Sequence, residues 1–477
     1  MRGVVSFLIL FLLTGCASLA PERERPPMPV SGFWPDSSAP GTDAEALQWK
    51  TAFPDPALQT LIATALEENR DLRQAILALD KARAQLGIVR ADRWPNLDAT
   101  GQHSVQRVPA DMNRGEAAIG RQWSVGVGVN AFELDLFGRV KNLEEAALEE
   151  YLATEEARRA VHMSLVSQVA RTYLTLAGDR EALTLALKTM KSREDTLGLI
   201  RAQVENGLAT ELQRHQAEEA VAVAQSEAAR LTAQVDMDRN ALSLLTGVPA
   251  SRLSLPAHSL NDVIMEDAPP AGLSSELLTR RPDILEAEHR LWAAGARIGA
   301  ARAAFFPRIT LTTTAGLSSL ELTDLFDISQ RTWTFVPSLR LPIFDAGRNR
   351  ANLAAAEAEQ KIRVAAYEKA IQTAFREVAD ALAKNKGFAG QVQAQTRRVA
   401  SAGQSRILVE QRNQVGLESL FAVYDAERTL FSARMDLLRV RLGQKLAVVE
   451  LFSALGGGWE EGGADSQTAV EVTETRQ

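Results

Sequence analysis

Few residues in this chain have the types and spacing that chemistry requires. Cys16 is the single cysteine. A disulfide within the chain is therefore excluded, and a catalytic thiol or a site of covalent modification stays open. The five histidines, His103, His162, His215, His258 and His289, are scattered. One of them forms a Glu-x-x-His pair, Glu286 with His289, at helical spacing. A di-iron bundle needs that motif twice, with two further carboxylates, so the lone pair reads as a surface ion pair. Gly126-Val127-Gly128 lacks the third glycine of a dinucleotide loop and lies in a strand-like alternation. No Gly-rich loop ends in Lys-Ser or Lys-Thr, no His-Glu-x-x-His occurs, and no Ser-His-Asp or Cys-His grouping stands out. The chain is read as no enzyme, needing no metal or other cofactor. A formal charge of −7 argues against a nucleic-acid surface.

What precedes Cys16 decides its chemistry. Arg2 is followed by an apolar run, Val4 to Leu13, broken only by Ser6. About ten apolar residues are too few to span a bilayer, so the run reads as the core of a signal peptide. Leu13-Thr14-Gly15-Cys16 resembles the bacterial lipobox. By that resemblance residues 1–15 are removed, and Cys16 becomes an acylated first residue carrying diacylglyceryl and palmitoyl groups. Ala17 follows where an Asp would mark retention at the inner membrane, which favours sorting to the outer membrane. Each buried CH₂ contributes roughly 0.8 kcal/mol, so several chains suffice to tether the protein.

The rest of the chain is largely one unit written twice. Gly138-Arg139 matches Gly347-Arg348, an offset of 347 − 138 = 209, and Gly207-Leu208 matches Gly416-Leu417 at the same offset. Upstream the offset is 212, pairing Gly87 with Gly299 and Pro95 with Pro307. By that rule His289 falls opposite Leu77, so the Glu-x-x-His pair is not duplicated. Unit one spans 58–247 and unit two 272–456. A Pro-rich segment, 16–57, precedes them as a tether or strap, and a second Pro-rich segment, 248–271, links them. An acidic tail, 457–477, is expected to be disordered. Each unit reads as a helix, a strand pair, a long helix and a return helix. In unit one these are 58–93, a β-hairpin over 95–135, 139–205 and 208–246. In unit two they are 272–305, a hairpin over 307–343, 348–412 and 417–455. The long helix would reach about 100 Å at 1.5 Å per residue. Within it Val169, Leu176, Leu183, Met190, Leu197 and Val204 recur every seven residues, the pattern of coiled-coil packing.

The strands carry the argument for assembly. Trp123, Val125, Val127, Val129 and Ala131 alternate with Ser124, Gly126, Gly128 and Asn130. Trp333, Phe335, Pro337, Leu339 and Leu341 do the same in unit two. One apolar face suits lipid, and tryptophans at matching places suit its interface. A bilayer tolerates no open sheet edge, and the smallest membrane barrels have about eight strands. Four strands must therefore be shared between chains, and three copies would give twelve. At the far end of the long helices from the strands, glycines mark the turns: Val204, Gly207 and Leu208 in unit one, Val415, Gly416 and Leu417 in unit two. Glycine there suits a left-handed helix cap, and the turns would be exposed tips where a partner docks.

The lipobox, the doubled strand-pair and long-helix unit, and Val415-Gly416-Leu417 followed by Asp425-Ala426-Glu427 resemble the outer-membrane factor family, the TolC-like exit ducts. Phe306-Pro307 and the segment Leu341 to Gly347 are most similar to its lipoprotein branch serving resistance–nodulation–division drug pumps. The resemblance implies an α+β membrane protein: a homotrimer with a 12-stranded β-barrel in the outer membrane and a long α-helical barrel across the periplasm. It implies a periplasmic adaptor and an inner-membrane pump as partners, with small-molecule drugs and toxic compounds as cargo. It also implies an entrance constricted by aspartates. That role falls on Asp425, whose unit-one counterpart is Gln216, while Leu420 stands where some members carry a second acid. A ring of three such carboxylates would favour cations. A type I secretion duct and a lipid-anchored coiled-coil scaffold are the competing readings.

Overall fold

The computed structural model describes residues 18–32, 34, 48–112, 116–253, 255, 259, 260, 263 and 275–457. The signal segment, Cys16, most of the linker and the acidic tail lie outside the described residues. The described chain contains helices α1 (Trp49–Ala52), α2 (Pro56–Glu68) and α3 (Arg70–Ala91), then strands β1 (Leu97–Val108) and β2 (Ala118–Leu134). Helices α4 (Arg139–Glu205), α5 (Glu211–Thr246) and α6 (Pro282–Ala303) follow. Strands β3 (Arg308–Ser319) and β4 (Arg331–Arg340) and helices α7 (Arg348–Gln414) and α8 (Leu420–Ala454) complete it. The long helices have 67 residues each. No described helix is long and apolar enough to cross a membrane.

The chain divides into two compact units, and they are not the two sequence repeats. One takes 78–155 and 286–368 with the segment up to Pro27; the other takes 28–77, 156–285 and 369–477. The physical reason lies in the sheet. Its order is β1-β2-β3-β4, all antiparallel, so β2 of the first repeat pairs with β3 of the second and the repeats interleave.

The first unit holds that sheet. Trp123 stacks on its register partner His103, ring centroids 3.8 Å apart. The expected alternation through Ala131 stops early. Between Val129 and Phe132 the register shifts, with two residues of β2 opposing one of β3, and Ala131 takes a φ of 52°. Its N–H donates to the Thr312 hydroxyl at 3.1 Å. This bulge explains part of the three-residue mismatch between repeats. Equivalent register pairs, Val129↔Leu97 and Leu339↔Ile309, put the second strand at an offset of 339 − 129 = 210. Past the bulge the offset becomes 209, and the hairpin loop absorbs the other two residues.

In the same unit the N-terminal segment lies extended along the helices. Ser18 donates to Asn142 at 2.7 Å, and Arg302 donates to the Leu19 carbonyl at 3.0 Å. Arg23 pairs with buried Glu149 at 2.8 Å, and Arg25 grips buried Glu288 through two nitrogens. His289 is not a surface partner of Glu286. It meets Glu149 at 2.7 Å, while Glu286 pairs with Arg290.

The second unit packs α2 and the return helices against the long ones around Phe53, Leu58, Leu174, Leu242 and Phe452. Val169 and Leu176 of the heptad seam are fully buried here. The helix expected over 58–93 is two helices, broken at Asn69. The Asn69 carboxamide accepts the N–H groups of Asp71 and Leu72, capping α3, and donates to the Leu245 carbonyl at 2.8 Å. The helix expected from 272 is likewise broken, a 3₁₀ turn over Ser275–Arg280 and then α6 opening on Pro282. The break recurs at the repeat position, since 281 − 69 = 212, with different chemistry. Arg281 donates to the Ala454 carbonyl at 2.6 Å and pairs with Asp283 and Glu377. Leu245 and Ala454 are themselves 209 apart. Each return helix thus delivers its last carbonyls to the kink of a short helix.

One buried carboxyl works against this packing. Asp238 on α5 is 7 % exposed, and Gln234 donates to one of its oxygens while the other has no partner. Burial, and then the adjacent Asp179 carboxylate, push its pKa from 3.8 to about 6. A carboxyl whose folded pKa is raised favours folding while protonated, and loses that contribution as pH rises from its unfolded value through its folded one. Asp238→Asn is therefore expected to raise thermal stability at pH 7.5 and to flatten its dependence between about pH 4 and 6. Unfolding scans at three pH values check this, and unchanged slopes would reject it.

Candidate functional site: the sheet face, the helical tips and the gate position

Among the described residues nothing covers the apolar side chains of the sheet's outer face. Val125, Val127, Trp333, Phe335 and Leu339 are all exposed, Trp333 by 76 %. Both edge strands are long, 12 residues in β1 and 10 in β4, and among the described residues neither outer edge is paired. Trp333 stands one residue off the 209 rule but on the strand rule of 210, so the two tryptophans occupy equivalent places. At the joint with the helices, Glu133 is held by Arg139 at 2.7 Å and Arg308 at 2.5 Å. Asp345 accepts the N–H groups of Gly347 and Asn349, both at 2.9 Å, which cap α7 and hold its carboxyl below the usual carboxylate range.

The tips have the same cap twice. The Gly207 N–H donates to the Val204 carbonyl and Leu208 N–H to the Gln203 carbonyl, with Gly207 at φ 72°. Gly416 and Leu417 repeat this with Asn413 and Arg412, Gly416 at φ 79°. This is the Schellman arrangement, and it accounts for both glycines. It does not account for the leucines. Leu208 is 80 % exposed and Leu417 65 %. Leu212 and Phe421, one helical turn further on and again 209 apart, are as exposed. Sequence reasoning passed over that second pair, although the repeat offset marks it. Val415 is exposed too, whereas Val204 is not a free docking side chain. It packs against the cluster of Leu197, Ile200, Ala217 and Val221, as Leu420 and Tyr424 also do.

Asp425 lies on α8 just inside the tip, and its carboxylate is not alone. Arg428 pairs with it at 2.5 Å. Gln216 is half-buried on α5. Beside Asp425 is a group that the spacing did not reveal. Arg193 of α4 is buried and donates to the Ala220 carbonyl at 2.8 Å. Burial raises the pKa of Glu427 above its ordinary value, opposed by the charges of Arg406 and then Arg193. The Tyr424 hydroxyl is buried without a partner, and burial pushes it up to about 12. The counterpart of Arg193 in the second repeat is Ala402, so the two repeats differ here as they do at Gln216 and Asp425. Among the described residues no cluster of His, Cys, Asp or Glu could hold a metal ion.

An apolar four-stranded sheet and two 67-residue helices, each closed by a capped turn, define an outer-membrane duct protein. The family description "Outer membrane efflux protein" matches the chain twice, over residues 61–248 and 273–457, and the chain belongs to that family. It is 46% identical over 476 residues to a toluene efflux pump outer membrane protein, TtgC of Pseudomonas putida, covering 97% of each chain. It is 44% identical to outer membrane protein OprJ of Pseudomonas aeruginosa, covering 96% of each. Among solved structures it is similar to a membrane protein of Pseudomonas aeruginosa, with TM-score 0.88 and 43% identity over 94% of this chain and 99% of that one. The chain is an outer-membrane efflux protein, and its family is one of channels.

Proposed function

We propose that three copies close their sheets into a 12-stranded barrel and serve as the passive exit duct of a tripartite efflux system. An inner-membrane pump supplies the energy, and a periplasmic adaptor meets the tips. The observation that carries this reading is the pair of unpaired edges, β1 and β4, on a sheet whose apolar face is bare. In a bilayer each unpaired backbone group costs several kcal/mol, so the edges must find each other between chains. The same bare face speaks against a coiled-coil scaffold, which has no use for it. The likeness to a toluene efflux protein favours small organic cargo over secreted polypeptide. In this reading selection among cargoes falls to the pump. Acylation of Cys16 would add a lipid anchor beside the barrel.

Asp425 is the gate residue of this reading, with Gln216 its uncharged counterpart. Three Asp425 carboxylates around one axis attract cations, but each carries Arg428 beside it. Asp425→Ala is expected to reduce cation preference of single channels in planar bilayers, and Arg428→Ala to increase it. Unchanged selectivity in both variants would remove this pair from the constriction. Purification of the acyl-free chain as a detergent-independent monomer would end the duct reading altogether.

A further inference from the structure

The second repeat copies the joint between sheet and helix but not its charge. In the first repeat Arg139, at the start of α4, is held by Glu133 at 2.7 Å. By the 209 offset their counterparts are Arg348, at the start of α7, and Pro342, so the arginine is kept and the acid is gone. The second repeat also adds positive charge to its strands. Arg308 on β3 stands directly opposite Arg340 on β4, and the first repeat has Asn96 in the place of Arg308. Like charges directly opposed across a ladder are destabilising. Arg308 is relieved, because it reaches Glu133 at 2.5 Å. Arg340 pairs with no carboxylate among the described residues. Arg348 has the charge of Asp345 near it, but that carboxyl already accepts the N–H groups of Gly347 and Asn349.

These four arginines line one groove of about 990 Å³ within the first unit. Three acids line it with them, and each is engaged: Glu133 by two arginines, Asp345 by the helix start, and Asp135 by the Lys141 N–H at 2.7 Å. Positive charge is thus in excess here, in a chain whose net charge is −7. Phe137 stacked on Phe306, and Phe344 beyond them, give the groove aromatic walls. Its size suits a small organic molecule. The strand pattern fixes the side it opens to. Leu339 belongs to the apolar outer face, so Arg340 and the opposed Arg308 lie on the other face, the inner wall in the duct reading. Acyl chains meet the outer face, so an anion that reaches Arg340 comes from the lumen. The duplicated geometry does not require this charge, since the first repeat builds the same joint without the facing arginines.

We propose that this groove is a binding site for organic anions passing through the duct, with the carboxylate of the cargo on Arg340 and its apolar body on the aromatic walls. The inference rests on the duct reading and adds a chemical class of cargo that the wall itself holds. A guanidinium matches a carboxylate through two parallel hydrogen bonds, and arginines that line a pore favour anions. The test uses the full-length protein in planar bilayers of phosphatidylcholine, with naphthoate as the probe. Naphthoate should reduce single-channel current in a saturable way. Arg340→Gln should raise the half-blocking concentration at least about tenfold, and Arg340→Lys, which keeps the charge but not the fork, by less. Arg331→Gln, at the other end of β4, should leave it unchanged. Uncharged naphthalene methanol should show no dependence on Arg340. Equal naphthoate block with and without Arg340 overturns the site and leaves the duct standing. So does phosphatidylglycerol that co-purifies with the unsubstituted protein but not with Arg340→Gln, in the absence of any block, since the arginine then holds a lipid phosphate. If Arg340→Gln does not assemble, Arg348→Gln carries the same expectation. An unsubstituted protein that forms no channels overturns both readings.

Discussion

Gly316→Val should abolish the assembled protein, where the same change at Gly120 leaves it intact. Gly316 on β3 faces Gly126 on β2. A Cβ on Gly316 would run into the Val125 carbonyl oxygen and stand 2.6 Å from the Gly126 Cα. Gly128 is in the same position, since its Cβ would stand 2.8 Å from the Thr314 Cα. At Gly316 the obstacles are all backbone atoms of the neighbouring strand, not the ends of side chains that could swing aside, and at Gly128 two of the three are. Forcing extra atoms into a packed interior costs typically 1–3 kcal/mol even where side chains can give way. Here the ladder itself must open, and in the proposed trimer every copy would carry the defect. Gly120 tolerates the change because its Cβ would meet only the Gln106 carbonyl, at 3.8 Å. The measurement is the amount of SDS-resistant oligomer in purified outer membranes. Equal amounts from both variants would show that the close approach of β2 and β3 is not required.

Those glycines mark what a sequence can and cannot disclose. Alternation of Val with Gly announced strands, and an apolar face followed from period two without any knowledge of partners. The long helices were legible because 67-residue stretches contain no proline, and the first keeps a seven-residue seam. The breaks at Asn69 and Arg281 were not legible. Both residues act through carbonyls more than 170 positions away, Leu245 and Ala454, and nothing local separates Asn69 from an ordinary helix-face polar residue. The bulge at Ala131 was hidden for another reason: alanine gives no sign of a positive φ. A trace existed all the same, since the tryptophans stand 210 apart and the glycines 209. His289 was given the wrong partner because sequence spacing offered Glu286, while packing brought Glu149. At the tip, a local rule explained Gly207 and Gly416, but the buried Arg193 depends on three helices meeting. What is written in one helix or one strand could be read. What is written between elements could be read only where the chain repeats itself, because an offset turns an observed contact into an expected one.

The double variant Leu208→Ser/Leu417→Ser should reduce efflux to the level of cells lacking the protein, with trimer yield and single-channel conductance unchanged. The two leucines follow the cap glycines, and the caps do not use them. Their backbone N–H groups complete the Schellman pattern, and serine supplies the same N–H. Exposed as they are, their loss should move folding stability by about 0.5 kcal/mol or less. The glycines would be a poorer choice. With φ near 72° and 79°, any other residue strains the turn itself, and loss of function would not separate docking from folding. Burying a leucine against a partner contributes roughly 1.5–3 kcal/mol. At about 1.4 kcal/mol per tenfold, each buried leucine is worth an order of magnitude or more in affinity. The proposed trimer would present every tip position three times, so a partner that seats on these side chains would lose them all at once. Leu212 and Phe421 extend the same surface by one helical turn, and a fourfold variant including them should do no more than the double if the leucines already abolish docking. Drug-susceptibility assays beside planar-bilayer recordings give both readouts. Normal efflux in the double variant would mean that these tips meet nothing, and that adaptor and duct touch elsewhere.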